Sequence, residues 1–167
     1  MRPKIAGFRI PIRAEAVMNV TAIKNGLVID HIRAGTGWRI FRWLGLDGAP
    51  FTSALIMNVP SQKSGKKDMI KIDNIIDIDF SVLGFIDPDI CVNIIKNEKV
   101  ERKINMTLPP RVQNVFRCKN PRCVTASEHF VPSTFLLVER AKGLYRCEYC
   151  DTLYTAGEDG NPVEAKA

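Results

Sequence analysis

The stretch "SQKSGKKDMIKID", residues 61–73, admits two readings, and the choice between them decides the fold of the N-terminal part of the chain. As a phosphate-binding loop, Gly65 and Lys66 would need a glycine five positions earlier, a serine or threonine next, and then a helix. Pro60 and Lys67 occupy those two positions, and the residues that follow alternate in character instead of advancing with helical period. Ile70 and Ile72 share one face of an extended segment, while Lys67, Met69 and Lys71 share the other. The stretch therefore reads as a strand entered through a polar turn. Lys67 and Lys71 stand ~13 Å apart on its non-isoleucine face.

Similar runs lie on either side. "GLVIDHI" (26–32), "SALIMNVP" (53–60), "ICVNIIK" (90–96) and "KVERKINM" (99–106) are rich in isoleucine and valine and bounded by Gly, Pro, Asn or Ser. "GTGWRIFRWLGL" (35–46) places Ile40, Phe41 and Leu44 at helical spacing and ends near Gly45. "IDFSVLGFI" (78–86) is a shorter helix, stopped by Pro88. The order β-α-β-β-α-β-β predicts an α+β fold, with a ferredoxin-like antiparallel sheet and two helices on one of its faces. "TLPPRV" (107–112) interrupts both helix and strand and marks a boundary. The expected organisation is an N-terminal extension without clear period over residues 1–19, a first domain over 20–107, a second over 108–155, and a tail over 156–167.

Composition sets limits on the function. The 167 residues are 46% hydrophobic and 25% charged, which is ordinary for one medium or two small globular domains. No apolar run approaches the ~20 residues that span a bilayer, so no membrane association is expected. "MRPKIAGFRIPIR" lacks the apolar core of a secretory signal, and a cytoplasmic protein is the expectation. A formal charge of +6 and a pI near 9.2 would suit a polyanionic partner. Arg2, Lys4, Arg9 and Arg13, however, all precede the first acid, Glu15. Four thiolates on one Zn²⁺ would lower the net charge by a further two.

Four of the five cysteines fall in "CKNPRC" and "CEYC", with 23 residues between the two pairs. Cys118 with Cys123 and Cys147 with Cys150 form two turns that each present two sulfurs, a donor set that suits a tetrahedral ion. In a cytosolic chain this spacing favours Zn²⁺ over disulfides or an iron–sulfur cluster, the two alternatives. Four protein ligands leave no open position, so the ion would be structural. Apolar residues between the pairs are too few for an independent core, and the expected second domain is a small all-β unit stapled by metal. His129 is surplus to a full shell, and Cys91, alone inside "ICVNII", reads as a small buried hydrophobe.

"VIDHIRAG" (28–35) sets Asp30 beside His31, one of only two histidines. Neighbours on a regular strand face opposite ways, so both can serve one ligand only where the strand ends or twists. Taken alone they are an ordinary strand-end pair. Together with Lys67, Lys71 and Lys103 on neighbouring strands they would have the makings of a nucleotide site, lysines meeting phosphates and a carboxylate accepting from ribose.

"VTAIKNGLVIDHI", "MNVPSQKSGKKDMIKIDN", "VNIIKNEKV" and "CKNPRCVT…YRCEYC" occur in this order, and together they resemble the regulatory chain of aspartate carbamoyltransferase from about Val20 to Tyr154. The resemblance implies a non-catalytic subunit that controls pyrimidine synthesis by binding CTP, ATP and UTP. It also implies self-pairing as regulatory dimers, and a zinc domain that touches catalytic chains and links their trimers. By motif, Asp30 would hold the ribose, His31 and Lys103 the phosphates, and Lys67 and Lys71 phosphate and ribose. Ala22, Ile23 and Val100 would read the base, Val28 and Ile95 would line the pocket, and Asn93 and Lys24 would sit at its edge. Cys118, Cys123, Cys147 and Cys150 would be the zinc ligands. Thr21 and Glu98 depart from the acidic and aromatic residues some members carry, close to the base-reading region.

Two other functions compete. A zinc-ribbon nucleic-acid-binding protein would need a continuous basic face, which Glu128, Glu139, Glu148 and Asp151 interrupt. A small enzyme would need a nucleophile paired with a base or an open metal position, and the sequence offers neither.

Overall fold

The computed structural model describes residues 22–74, 77 and 80–157. The N-terminal extension, Thr21 and residues 158–167 of the tail lie outside these. The first sheet holds β1 (Gly26–Arg33), β2 (Ser53–Ser61), β3 (Gly65–Ile72), β4 (Cys91–Lys96) and β5 (Lys99–Asn105). Its order is β2-β3-β1-β4-β5, with every neighbouring pair antiparallel, a ferredoxin-like arrangement extended by one strand. Helices α1 (Gly37–Trp43) and α2 (Phe80–Ile86) contribute Ile40 and Leu83 to the buried cluster of Leu27, Ile29, Ile32, Ile70, Ile72 and Val92. Both helices thus cover one face and leave the other open. The turn before β3 leads from strand to strand, as expected of a segment that is no phosphate loop.

Asp68 shares the inward face of β3 with Ile70 and Ile72 and has no exposed surface. A carboxylate in such a place needs hydrogen bonds to replace its lost hydration. It accepts the backbone N–H groups of Gly35 (2.8 Å) and Gly37 (3.0 Å) on one oxygen, and that of Asn58 (2.9 Å) on the other. Gly37 opens α1, whose flanking Thr36 provides no side-chain cap, so Asp68 satisfies the start of that helix from another strand. A Cβ on Gly37 would stand 2.8 Å from the Asp68 Cβ, which explains glycine there.

Two bulges flank this carboxylate. The β1–β3 register shifts between Ile29 and Ile32, where His31 takes φ 61°. The β2–β3 register shifts between Ile56 and Val59, where Asn58 takes φ 60°. The sequence reading required "VIDHIRAG" to end or twist near Asp30–His31. The strand does not end there; it continues to Arg33 through a bulge, a local twist that returns Ile32 to the core.

The second sheet is a meander of β6 (Arg111–Gln113), β7 (Thr134–Glu139), β8 (Leu144–Cys147) and β9 (Leu153–Thr155), with one helical turn, α3 (Val124–Ser127). An aromatic column joins it to the first. Phe85 of α2 stacks on Phe116 at 5.1 Å and meets Tyr145 edge-on at 4.7 Å. Phe135 lies 4.2 Å beyond Phe116. The Tyr145 hydroxyl donates to the Pro109 carbonyl at 2.7 Å, and the Gly157 N–H donates to that of Phe85 at 3.2 Å.

Replacing Asp68 by alanine strands three backbone donors, and the expected loss is about 3 kcal/mol or more. Urea unfolding gives the magnitude. Hydrogen exchange at Gly35, Gly37 and Asn58 should rise together in the variant, while amides of the second sheet keep their protection.

Candidate functional site

Pleating and register set the chemistry of the open face. Val28 lies opposite Lys71 on one side and Asn93 on the other, and Asn93 lies opposite Lys103. Lys71, Val28, Asn93 and Lys103 therefore form one row across β3, β1, β4 and β5, with Val28, Lys71 and Asn93 half-buried. Cys91 shares this face. It is buried as expected, but it lies outside both core clusters. Burial raises its thiol pKa; nearby Lys103 lowers it and nearby Asp30 raises it, so charges from β5 and β1 both reach this point.

Further along β1, beside this row, the bulge brings Asp30 and His31 to the same side. Lys67 Nζ lies 2.7 Å and 2.9 Å from the two oxygens of Asp30, and the Lys67 and Asp30 side chains are 15% and 14% exposed. The His31 N–H donates to Asp30 at 2.7 Å, and its Nδ1 stands 3.4 Å from the same carboxylate. That second approach lacks hydrogen-bond geometry, and Nδ1 is buried without a hydrogen-bond partner. An acid already paired with Lys67, beside an imidazole whose Nδ1 is unpartnered, makes a polar corner on this face.

In the opposite direction along the strands, Ile95 lies opposite Gly26 and Val100, and Val100 is 59% exposed. Asn97 and Glu98 form the two-residue β4–β5 turn with φ of 50° and 63°. The Glu98 N–H donates to the Lys24 carbonyl at 2.9 Å, and that of Asn97 to the Asn25 side chain at 3.0 Å. Lys24 and Asn25, directly after Ala22 and Ile23, are thereby held beside the turn. All eleven residues expected at a nucleotide site belong to β1, β3, β4, β5 or the segment before β1, and the open face gathers its two ends along β1.

The four cysteines converge in the second sheet's loops. All four Sγ atoms lie within 4.8 Å of one another. Cys118 and Cys150 are 3.5 Å apart, and Cys123 and Cys147 are 3.9 Å apart. A tetrahedron with Zn–S of ~2.3 Å has edges of ~3.8 Å, so the donor set fits Zn²⁺. These separations are too long for a disulfide, and all four thiols are free. Burial pushes the Cys118 thiol up and the Cys147 thiol to about 12. Cys150 differs. Burial raises it, but the Thr152 hydroxyl and backbone, with Cys118 and Asn120, bring it down to about 6. A bound cation must therefore displace protons from buried thiols. His129 stays out of the cluster, and its Nδ1 meets Arg117 at the surface.

Two residues escaped the sequence reading. Asp68 was legible in principle, because alternation puts an acid on the isoleucine face, and a buried acid implies a structural task. Asp87 gave no comparable signal. It is 5% exposed and accepts the Arg33 N–H at 3.3 Å and the Asp89 N–H at 3.0 Å, tying the end of β1 to the end of α2.

Residues 18–107 match the family model "Aspartate carbamoyltransferase regulatory chain, allosteric domain", and residues 110–158 match "Aspartate carbamoyltransferase regulatory chain, metal binding domain". An aspartate carbamoyltransferase regulatory chain from Clostridium botulinum (strain Hall) is 52% identical over 142 residues, covering 85% of this chain and 97% of that one. One from Clostridium acetobutylicum is 52% identical over 138 residues, 83% and 94% of the two chains. One from Bifidobacterium longum is 42% identical over 134 residues, 80% and 96%. The chain belongs to the family of aspartate carbamoyltransferase regulatory chains, and is a non-catalytic subunit with an allosteric and a metal-binding domain.

Proposed function

We propose that the open face of the first sheet binds nucleoside triphosphates, CTP, ATP and UTP, and that their binding controls the catalytic chains and hence pyrimidine synthesis. The observation that carries this reading is the row Lys71–Val28–Asn93–Lys103 with the Lys67–Asp30–His31 corner beside it. Cations suited to phosphates and a carboxylate suited to ribose share one face there. Base recognition falls to Ala22, Ile23 and Val100, beside Glu98.

The rest of the reading follows the division of the chain. Residues 20–107 sense the effector, and residues 108–155 hold zinc through Cys118, Cys123, Cys147 and Cys150, contact the catalytic chain and link catalytic trimers. A second copy of the chain pairs through the first sheet. Of its edges, β5 carries Lys99, Glu101, Arg102 and Lys103, which deter strand pairing, whereas β2 carries Leu55, Ile56 and Met57. The assembly works in the cytoplasm. Nucleic acid is a poor partner. Arg111 with Glu148, Arg146 with Asp151 and Lys142 with Glu139 form ion pairs that break up a basic face on the second sheet.

Calorimetry with CTP and ATP tests the effector site. Lys103→Ala should weaken binding about 10- to 150-fold, the worth of one charge-assisted contact of about 1.5–3 kcal/mol, with zinc content unchanged. His31→Ala should also weaken binding. Unchanged affinity in both variants would remove the effector from this face.

Metal analysis and mixing with catalytic trimers test the other half. Cys147→Ala should lose zinc and fail to assemble, while its first sheet still binds nucleotide. Since the metal-free Cys147 thiol keeps its proton to about pH 12, zinc uptake releases a proton at neutral pH. Zinc affinity should therefore fall as pH is lowered, and a chelator should strip the wild type faster at pH 6 than at pH 8. Stoichiometric zinc in the Cys147→Ala chain would contradict the assignment.

A further inference from the structure

The four sulfurs do not have equivalent surroundings. The Tyr154 hydroxyl lies 3.1 Å from Cys118 Sγ, the Thr125 hydroxyl 3.2 Å from Cys123 Sγ, and the Thr152 hydroxyl 3.1 Å from Cys150 Sγ. A metal-bound thiolate has no proton to give, so in each contact the hydroxyl is the donor. At Tyr154 the direction is fixed twice over, because its oxygen already accepts the Lys119 backbone N–H. Thr125 is 1% exposed and Tyr154 3%, so neither hydroxyl has bulk water as an alternative partner. Cys147 is served differently, by the backbone N–H groups of Tyr149 and Cys150.

We infer that Tyr154, Thr125 and Thr152 form a shell of hydroxyl donors that tunes the metal centre, each positioning and partly neutralising one thiolate. The inference rests on the reading of the four cysteines as a zinc site. Its physical basis is charge. Zn²⁺ with four thiolates carries a net charge of −2, and here that dianion sits among Phe116, Phe135, Tyr145 and Tyr154. A buried charge of this kind is tolerable only where dipoles or opposite charges meet it. Three O–H dipoles point at it, and the Lys119 ammonium lies 4.6 Å above the Tyr154 ring. Valine would fill the space of either threonine and phenylalanine that of the tyrosine, so packing alone does not require a hydroxyl at any of the three positions.

The shell should hold the ion more tightly and make the sulfurs poorer nucleophiles. Substitution of such outer partners costs about 10- to 100-fold in metal affinity. The test uses the full chain, purified with zinc and also loaded with Co²⁺, in Tyr154→Phe, Thr125→Val and Thr152→Val variants. Each should bind zinc about 10-fold or more weakly in chelator competition, and shift the sulfur-to-cobalt charge-transfer band to lower energy. Thr125→Ser and Thr152→Ser should restore both. Tyr154→Phe keeps the ring packing, and Thr152 is only half-buried, so these two report even if Thr125→Val misfolds. Folded variants with wild-type affinity and an unshifted band would overturn the inference. A wild-type chain without stoichiometric metal would overturn the zinc reading itself, and the shell with it.

Discussion

The carboxylate of Asp68 holds three separate pieces of backbone at one point: the approach to α1, its first turn, and the bulge of β2. Its strand neighbour across β1 is Ile32, the residue at which register resumes after the other bulge. An ionised acid without exposed surface is costly, and the cost is met only by donors that have no better partner. Helix-start and bulge amides are such donors, since neither belongs to a regular ladder. The consequence reaches the open face. With one residue extra between Ile29 and Ile32, β1 keeps an apolar inner row and presents both Asp30 and His31 outward.

From that corner a chain of direct contacts leads to the metal-bearing half. The Arg33 N–H is bonded to Asp87, Asp87 closes α2, and α2 carries Phe85 into the ring stack with Phe116 and Tyr145. Phe116 continues to Phe135 and Tyr154, and the Tyr154 hydroxyl ends at Cys118. Close-packed rings transmit displacement well because they cannot be compressed. A signal travels this way only if α2 has two arrangements that an effector and the catalytic chain favour differently.

The two functional regions solve opposite electrostatic problems. The open face assembles lysines around one acid and is partly open to solvent, so on the proposed reading an incoming polyanion would replace water and meet charge already in place. The cysteine cluster buries its ligands, whose own tendency is to stay protonated, and relies on a divalent ion to hold them ionised.

The sequence by itself determined the elements and the metal. Alternation in "KKDMIKI" and "GLVIDHI", helical spacing in "GWRIFRW" and the paired cysteines are local patterns, set by backbone period or ligand geometry, and each appears where the sequence places it. Strand alternation and charge already suggested a nucleotide site for Asp30, His31, Lys67, Lys71 and Lys103 if they converged, whereas Ala22, Ile23, Val28, Asn93, Ile95 and Val100 were legible only through family resemblance, because residues on different strands lie far apart in sequence. Only the tertiary structure decided their register, the bulge that turns Asp30 and His31 the same way, the outward placement of Cys91, and the partners of Asp68. Those depend on which strands pair and where a ladder slips, and a slip of one residue reverses every side chain beyond it. No local period encodes that choice. It is settled when Ile32, Ile70 and Ile72 enter a common core and Asp68 finds its three amides.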